Sequence, residues 1–404
     1  MKRGKQVLLG IAVLAVAAVG WYWTGSQANP SRGPDSAATA SASSLAPAGA
    51  EVAPTGTGSS GPLSALGRQA RQDKLDLWRS RAERSEQLYA SYRDSTRYPP
   101  DSHPIAEHPD QVRPFQPIVE ENTLRRADGS SAKGFRLRTS QERVFLSGAE
   151  TVKFSIEAVD DRGVTLPLIV TRASAQSVPD TRTPVRLIQS NVLFSDDGTG
   201  ADSAAADGVY TARISPAQQG FEAYAGTIRL LAQVNVKGEQ GVAHFDVIYT
   251  PGVPATWAGV REALENGALN FYLKANVVMP GRYVVSARVD DANGAPFALL
   301  QFNEEVPAGV REFKLTLFGA LVRDKGPLFP LRLRDVDGFL LVPDTFPDRF
   351  TMARQSGVVH TSARYAVDRF SPNEWTSEER SRYLNEYGKD AENARAEVAR
   401  LEAP

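Results

Sequence analysis

Hydrophobic and polar positions along the chain change their period several times, and each change marks an element. Residues 7–23 (VLLGIAVLAVAAVGWYW) form an apolar run without a charge. Its length falls at the short end of the roughly 17–25 residues that cross a bilayer as a helix. Residues 25–62 are almost wholly Ser, Ala, Gly, Pro and Thr, with little to bury, and read as a flexible spacer. Over residues 64–95, Leu75, Trp78, Ala82, Tyr89 and Tyr92 recur at three- and four-residue steps among charged neighbours. That spacing predicts an amphipathic helix in need of a partner surface. Pro99, Pro100, Pro104, Pro109, Pro114 and Pro117 then enforce an extended crossing from helix to sheet.

From about Gly134 the period becomes two. Val152, Phe154, Ile156 and Ala158 alternate with Lys153, Ser155 and Glu157, the mark of a half-buried strand. Asp160-Asp161-Arg162-Gly163 supplies a turn, and further strands are expected at 166–171, 191–194, 209–214, 227–236 and 241–249. The Lys237-Gly238-Glu239-Gln240-Gly241 loop joins the last two as a hairpin. After the Pro251-Gly252-Val253-Pro254 punctuation a brief helix is expected over 257–264. Strands follow at 269–278, 282–289, 297–302, 310–318, 331–336 and 339–341, with Asp335-Val336-Asp337-Gly338 read as a hairpin turn. A final helix begins near Thr376, where Thr376 and Glu379 have capping-box spacing. Tyr383, Leu384, Tyr387, Ala391, Ala394, Val398 and Leu401 form its apolar stripe, which suits pairing with the 64–95 helix.

The organisation expected is mainly β: two tandem antiparallel immunoglobulin-like β-sandwiches, preceded by a transmembrane helix and an amphipathic helix, with a C-terminal helix. Its parts are an anchor (1–24), a linker (25–62), the charged helix and Pro-rich crossing (63–133), a first sandwich (134–250), a second sandwich (251–345) and an extended segment with the last helix (346–404). Lys2, Arg3 and Lys5 ahead of the apolar run predict a cytoplasmic N-terminus, and Trp21, Tyr22 and Trp23 suit the far interface. The chain is thus expected to sit in the inner membrane as a single-pass protein, with its bulk periplasmic or extracellular. A cleaved signal peptide ending at Ser26-Gln27-Ala28 is the rival reading. It fits less well, because h-regions are shorter and lack such an aromatic crown.

Charge and composition narrow the functional classes. Without the three N-terminal cations the formal net charge of −1 becomes −4, so nucleic acid is not an expected partner. The chain has no cysteine, which excludes disulfides, a thiolate nucleophile and thiolate metal sites. No G-x-S-x-G elbow is present. The carboxylate pairs Asp160/Asp161, Asp290/Asp291 and Glu304/Glu305 fall at turns or strand ends, where adjacent side chains diverge. Of the four histidines, His103 and His108 lie five apart in the crossing without an H-E-x-x-H context, which argues against a zinc pair. His244 reads as a strand histidine and His360 has no evident partner.

The most distinctive stretch is 195–210, where Asp196, Asp197, Asp202 and Asp207 stand on a Gly-rich loop. Hard carboxylate oxygens make these four the candidate Ca²⁺ ligands, Ca²⁺ being the one cofactor the sequence suggests. The EF-hand spacing is absent, and Asx-turns capping the loop's own backbone satisfy the pattern by themselves.

The segment DDGTGADSAAADGVYTARI resembles the Asp/Gly-rich signature of bacterial choice-of-anchor X domains. The stretch from Glu265, ENGALNFYLKANVVMPGRYVVSARVDDANG, is similar to the immunoglobulin-like modules that accompany it. The resemblance covers roughly residues 140–345 and implies an exported β-rich envelope protein, with no catalytic residue carried over. The expected function is a membrane-tethered, non-enzymatic binding or scaffolding protein of the cell envelope. Its partners would be the inner membrane through the N-terminal helix, and another envelope protein or a polysaccharide. The alternatives are a chaperone-like periplasmic helper for a secreted client and a carbohydrate-binding module using Tyr210, Tyr224 and Trp257.

Overall fold

Period-two patterning builds most of the architecture. The computed structural model describes residues 65–126, 129–179 and 187–403, all within one compact unit that begins at Ser64. The expected anchor (1–24) and linker (25–62) lie outside the described residues. No helix among the described residues is long and apolar enough to cross a membrane. Among the described residues the fold is mainly β and β-sandwich-like, with several antiparallel sheets and three α-helices: α1 (Ala65–Ser95), α2 (Gly319–Lys325) and α3 (Glu378–Glu402).

Two separate apolar cores are lined by strands. The first lies between two five-stranded sheets. In one, Val152–Val159 pairs with Arg136–Gln141 on one side and with Thr165–Leu166 and Tyr210–Ile214 on the other. Ile118–Asn122 forms the outer edge. In the other, Glu239–Thr250 and Gly226–Val236 form a long hairpin flanked by Phe145–Ser147 and Leu168–Ser177. The hairpin is tighter than the five-residue loop expected. Lys237 and Gly238 alone make the turn, both with positive φ (52° and 86°), and the Gly238 N–H donates to Asn235 Oδ1. Two left-handed residues in succession match the twist of the flanking strands. The expected strand over 166–171 divides at Pro167, which has no N–H for a ladder. Leu166 stays in the first sheet and Leu168–Ser177 crosses to the second.

The second core lies between a six-stranded sheet and the three-stranded sheet Ala255–Glu265, Ala268–Val277 and Gly309–Leu317. Phe313, fully buried, is its aromatic centre, with the rings of Phe302, Tyr283 and Trp257 at 5.2, 5.4 and 5.7 Å. Two expectations fail here. Residues 257–264 are strand, because the register with Ala268–Val277 runs unbroken apart from a bulge beside Trp257, and that pairing outweighs the helical propensity of Arg-Glu-Ala-Leu. Asp335-Val336-Asp337-Gly338 is no hairpin turn either. Arg332–Leu341 is one strand with a bulge, at which Asp335 takes φ 53° and its carboxylate accepts the Gly357 N–H.

The chain does not build its parts in sequence order. Ser102–Pro104, from the Pro-rich crossing, adds to the Pro296–Val306 strand at the edge of the six-stranded sheet. Arg349–Thr351 and Gln355–Thr361 join the same sheet from the C-terminal segment. Residues 118–250 are therefore inserted between two parts of the second β-region, which reaches past the boundary expected at 345.

Helices α1 and α3 pair antiparallel. Half-buried or buried positions run 71, 75, 78, 82, 85, 89, 92 on α1, continued by 96 just past its end, and 380, 384, 387, 391, 394, 398, 401 on α3. This alternation of four and three is a 3.5-residue repeat, the seam of a short coiled coil. Tyr92 meets Tyr383 and Tyr387 edge-on at 5.7 and 5.3 Å. At the far end Arg71 donates to the carbonyls of Leu401 and Ala403, and Arg79 pairs with Glu402. The α3 cap is Ser377, one residue beyond the expected Thr376, and it accepts the Arg380 N–H at 3.0 Å.

A charged cluster fastens the hairpin to the second β-region. Arg97 grips Asp324 with two nitrogens (2.7 and 3.1 Å) and Glu374 with a third. The buried Arg380 donates to Glu374, Thr96 and the Arg93 carbonyl, so it caps the C-terminus of α1. The Arg97 hydrogen bond holds the Asp324 carboxyl below its ordinary 3.8. Burial, then the hydrogen bond to Asp324, pushes the Tyr98 hydroxyl up to about 12.

Two predictions follow from packing and charge. Phe313→Ala should lower unfolding stability by about 3–5 kcal/mol in urea titrations, because the emptied site is enclosed by rings. The Asp324 contribution is present above its ordinary value and lost as pH falls through the lowered one. That of Tyr98 is present below about 10 and lost as pH rises toward 12. Melting temperature should therefore hold between about pH 5 and 9 and fall on both sides. Asp324→Asn should soften the acid limb and lower the plateau by about 1 kcal/mol.

Candidate functional site

Two places gather chemistry-bearing side chains, and the Asp-rich loop roofs one of them. Asp196 accepts the N–H groups of Asp207 and Gly208 (3.1 and 3.0 Å), Asp202 that of Gly198 (2.7 Å), and Asp207 that of Val209 (2.9 Å). Asp197 accepts both the hydroxyl and the N–H of Thr199, which hold its carboxyl below the usual range. The four expected Ca²⁺ ligands thus tie down the loop's own backbone. No three of them draw their oxygens within 4.8 Å of one another.

Beneath the loop is a cavity of about 290 Å³ on the outer face of the first sheet. Its floor follows from strand register. Ser140 is opposite Ser155 and Ser155 is opposite Thr211, so three hydroxyls stand in a row across three strands. Glu142 and Lys153 extend the floor, while Asp202, Ser203, Asp207 and Pro117 close it from above. Thr211 is 4% exposed, and its Oγ1 is buried without a hydrogen-bond partner. The row was invisible from spacing, because cross-strand neighbours lie far apart in sequence.

The second place is the turn after Ser102–Pro104. There His103 Nδ1 lies 3.5 Å from Glu107 Oε2, and the rings of His103 and His108 meet edge-on at 5.4 Å. Potential ligand atoms of His103, Glu107 and His108 all fall within 4.8 Å of one another. The two histidines, which carry no H-E-x-x-H motif, are thus placed side by side with a carboxylate. A one-turn 3-10 helix, Ile105–Glu107, folds the segment back on itself. Glu107 was the missed residue, and the spacing H-x-x-x-E-H was the signal for it.

Other singled-out residues find partners within the fold. Asp290 is fully buried between Arg288 and Arg334, each at 3.0 Å. Asp160 and Asp291 accept backbone N–H groups of their own turns. His360 contacts Glu262 at 3.2 Å, and Glu262 also accepts from Ala363 and Tyr365. Tyr224 is buried with its hydroxyl on the Val178 and Thr227 carbonyls. Trp257 donates to the Ala353 carbonyl, and Tyr210 packs on the first core.

No family model matches the chain, and no curated protein matches it. Among solved structures, a DUF4785 family protein from Legionella pneumophila is 14% identical, over 56% of this chain and 57% of that one, at a TM-score of 0.36. Dimeric latent PorU from Porphyromonas gingivalis is 11% identical, over 61% of this chain and 20% of that one, at 0.17. Domains 4–9 of surface layer protein SbsC are 12% identical, over 51% and 38%, at 0.17. The chain spans little more than half the length of the first of these.

An unpartnered buried hydroxyl costs about 1–3 kcal/mol relative to a satisfied one. Thr211→Val should therefore leave urea stability unchanged or raise it by about 1 kcal/mol. A clear loss of stability would show that the hydroxyl has a partner in solution.

Proposed function

We propose that the chain is a membrane-tethered, non-enzymatic binding or scaffolding protein of the bacterial cell envelope. Residues 1–24 would be its anchor, and the two β-regions its tandem immunoglobulin-like sandwiches of the choice-of-anchor X type. The observation that carries the scaffolding reading is the joint between the β-regions. Ser147 Oγ accepts the Thr351 N–H at 2.8 Å and lies 2.7 Å from Thr250 Oγ1. Glu150 accepts from Ser147 N, Thr351 Oγ1 and Arg143. Arg349 lies over the rings of Phe145 and Phe339, 4.4 and 4.8 Å from their centres. Ser147 and Thr250 are 1% and 2% exposed, so this polar knot is shielded from competing water. A joint of this kind holds two binding surfaces at a set spacing, which is what a scaffold needs and a flexible linker between domains would not provide.

A carbohydrate-binding role has one observation of its own, the row Ser140, Ser155, Thr211 under the Asp-rich loop. Hydroxyls beside Glu142 and Lys153 match the donor and acceptor pattern of a sugar.

Expression in a Gram-negative host tests the proposal. Full-length chain should pellet with the inner membrane and be digested by protease added to spheroplasts, and a form lacking residues 1–24 should be soluble. Full-length protein found in the cytosol would overturn the reading. Glycan-array binding abolished by Ser155→Trp would favour the carbohydrate role over protein scaffolding.

A further inference from the structure

We propose that His103, Glu107 and His108 form a binding site for one divalent transition-metal cation of the zinc class. The backbone carrying the three groups is held on both sides. Ser102 and Ile105 are buried at 0% and 4% exposure, and His103 is held between them by pairing with Leu299. Ser102 Oγ also accepts the Phe318 N–H at 3.0 Å. The His108 N–H donates to the Ile105 carbonyl and the Gln111 N–H to the His108 carbonyl, both at 2.9 Å. The turn that brings the ligands together is therefore built before any cation arrives.

Donor chemistry selects the class of ion. Two imidazole nitrogens and one carboxylate oxygen are borderline ligands that suit Zn²⁺, Cu²⁺ or Ni²⁺. Calcium takes six to eight oxygens, and this cluster offers two. Three protein ligands complete all but one position of a tetrahedral zinc shell, leaving the fourth open to solvent or to an incoming side chain. His103 and Glu107 already lie 3.5 Å apart, close to the separation of two atoms on one tetrahedral cation. Glu107 is half exposed, which leaves its carboxylate room to turn toward the two imidazoles. The inference is independent of the envelope function proposed above.

The chain has four histidines, which makes the test clean. Detergent-solubilised full-length protein, stripped with chelator, is titrated with ZnCl₂ in a calorimeter and, separately, with CoCl₂ followed in the visible. One Zn²⁺ per chain with a Kd of about 1 μM or tighter, and Co²⁺ bands of tetrahedral intensity, are expected. His103→Ala and His108→Ala should each weaken binding at least about tenfold, and Glu107→Gln about tenfold. The double variant His244→Asn/His360→Asn should bind like the parent, and CaCl₂ should give no heat. Unchanged thermal melting of the metal-free Glu107→Gln protein separates ligand loss from misfolding. Absence of binding would overturn the proposal. So would millimolar affinity, the mark of an adventitious ion only, or binding that survives the His103→Ala/His108→Ala double variant.

Discussion

Three residues of strand, Ser102–Pro104, set the arrangement of the whole described chain. By pairing with residues 298–300 of the Pro296–Val306 strand they bring together segments roughly 200 residues apart in sequence, a long-range closure that later contacts must repay. Helix α1 is thereby placed beside the C-terminal segment. Helix α1 ends where Arg97 and Tyr98 reach Asp324, and α3 begins where Arg380 can cap it. Everything C-terminal to them must leave the second β-region, build the first, and return at Pro254. The Ser147 joint then locks the excursion back onto Thr351.

Without a cysteine, cohesion rests on burial and on how polar groups are satisfied at the joints. The two cores supply non-directional stabilisation, each lined by Val, Leu, Ile and Phe at alternate strand positions. The joints supply direction. Around Ser147 it comes from neutral hydroxyls and one carboxylate. At the foot of the helical hairpin it comes from a chain of four charges, Asp324, Arg97, Glu374 and Arg380. Charge-assisted bonds of this kind are worth more than surface pairs because Arg380 is nearly sealed from water.

Element type was legible wherever one face is buried and the other wet. Val152–Val159 alternates buried and half-exposed as its residues alternate apolar and polar, and the aromatic stripe of α3 does meet α1. Misreadings arose where local preference and tertiary pairing disagree. Residues 257–264 carry helix formers, yet they pair along their length with the next strand through Asn266-Gly267, both at positive φ. Asn-Gly between two apolar runs is the strongest short hairpin signal, and it stood in the sequence. The joining of Ser102–Pro104 to a distant sheet had no such signal, since three residues carry too little pattern. The site residues divide in the same way. The loop aspartates announce their turns by spacing, whereas Thr211, Ser155 and Ser140 become neighbours only through register.

The antiparallel seam of α1 and α3 has a mechanical consequence. Helix α1, about 47 Å long, has its N-terminal end beside the last turn of α3 and its other end bolted to the second β-region. A pull delivered through the residues that precede α1 enters at the far tip of the hairpin. The load path along the helix axis is the α1 backbone, which the seam with α3 stiffens from Leu75 to Tyr92. The seam thus braces α1 against bending between the tip of the hairpin and its attachment to the second β-region.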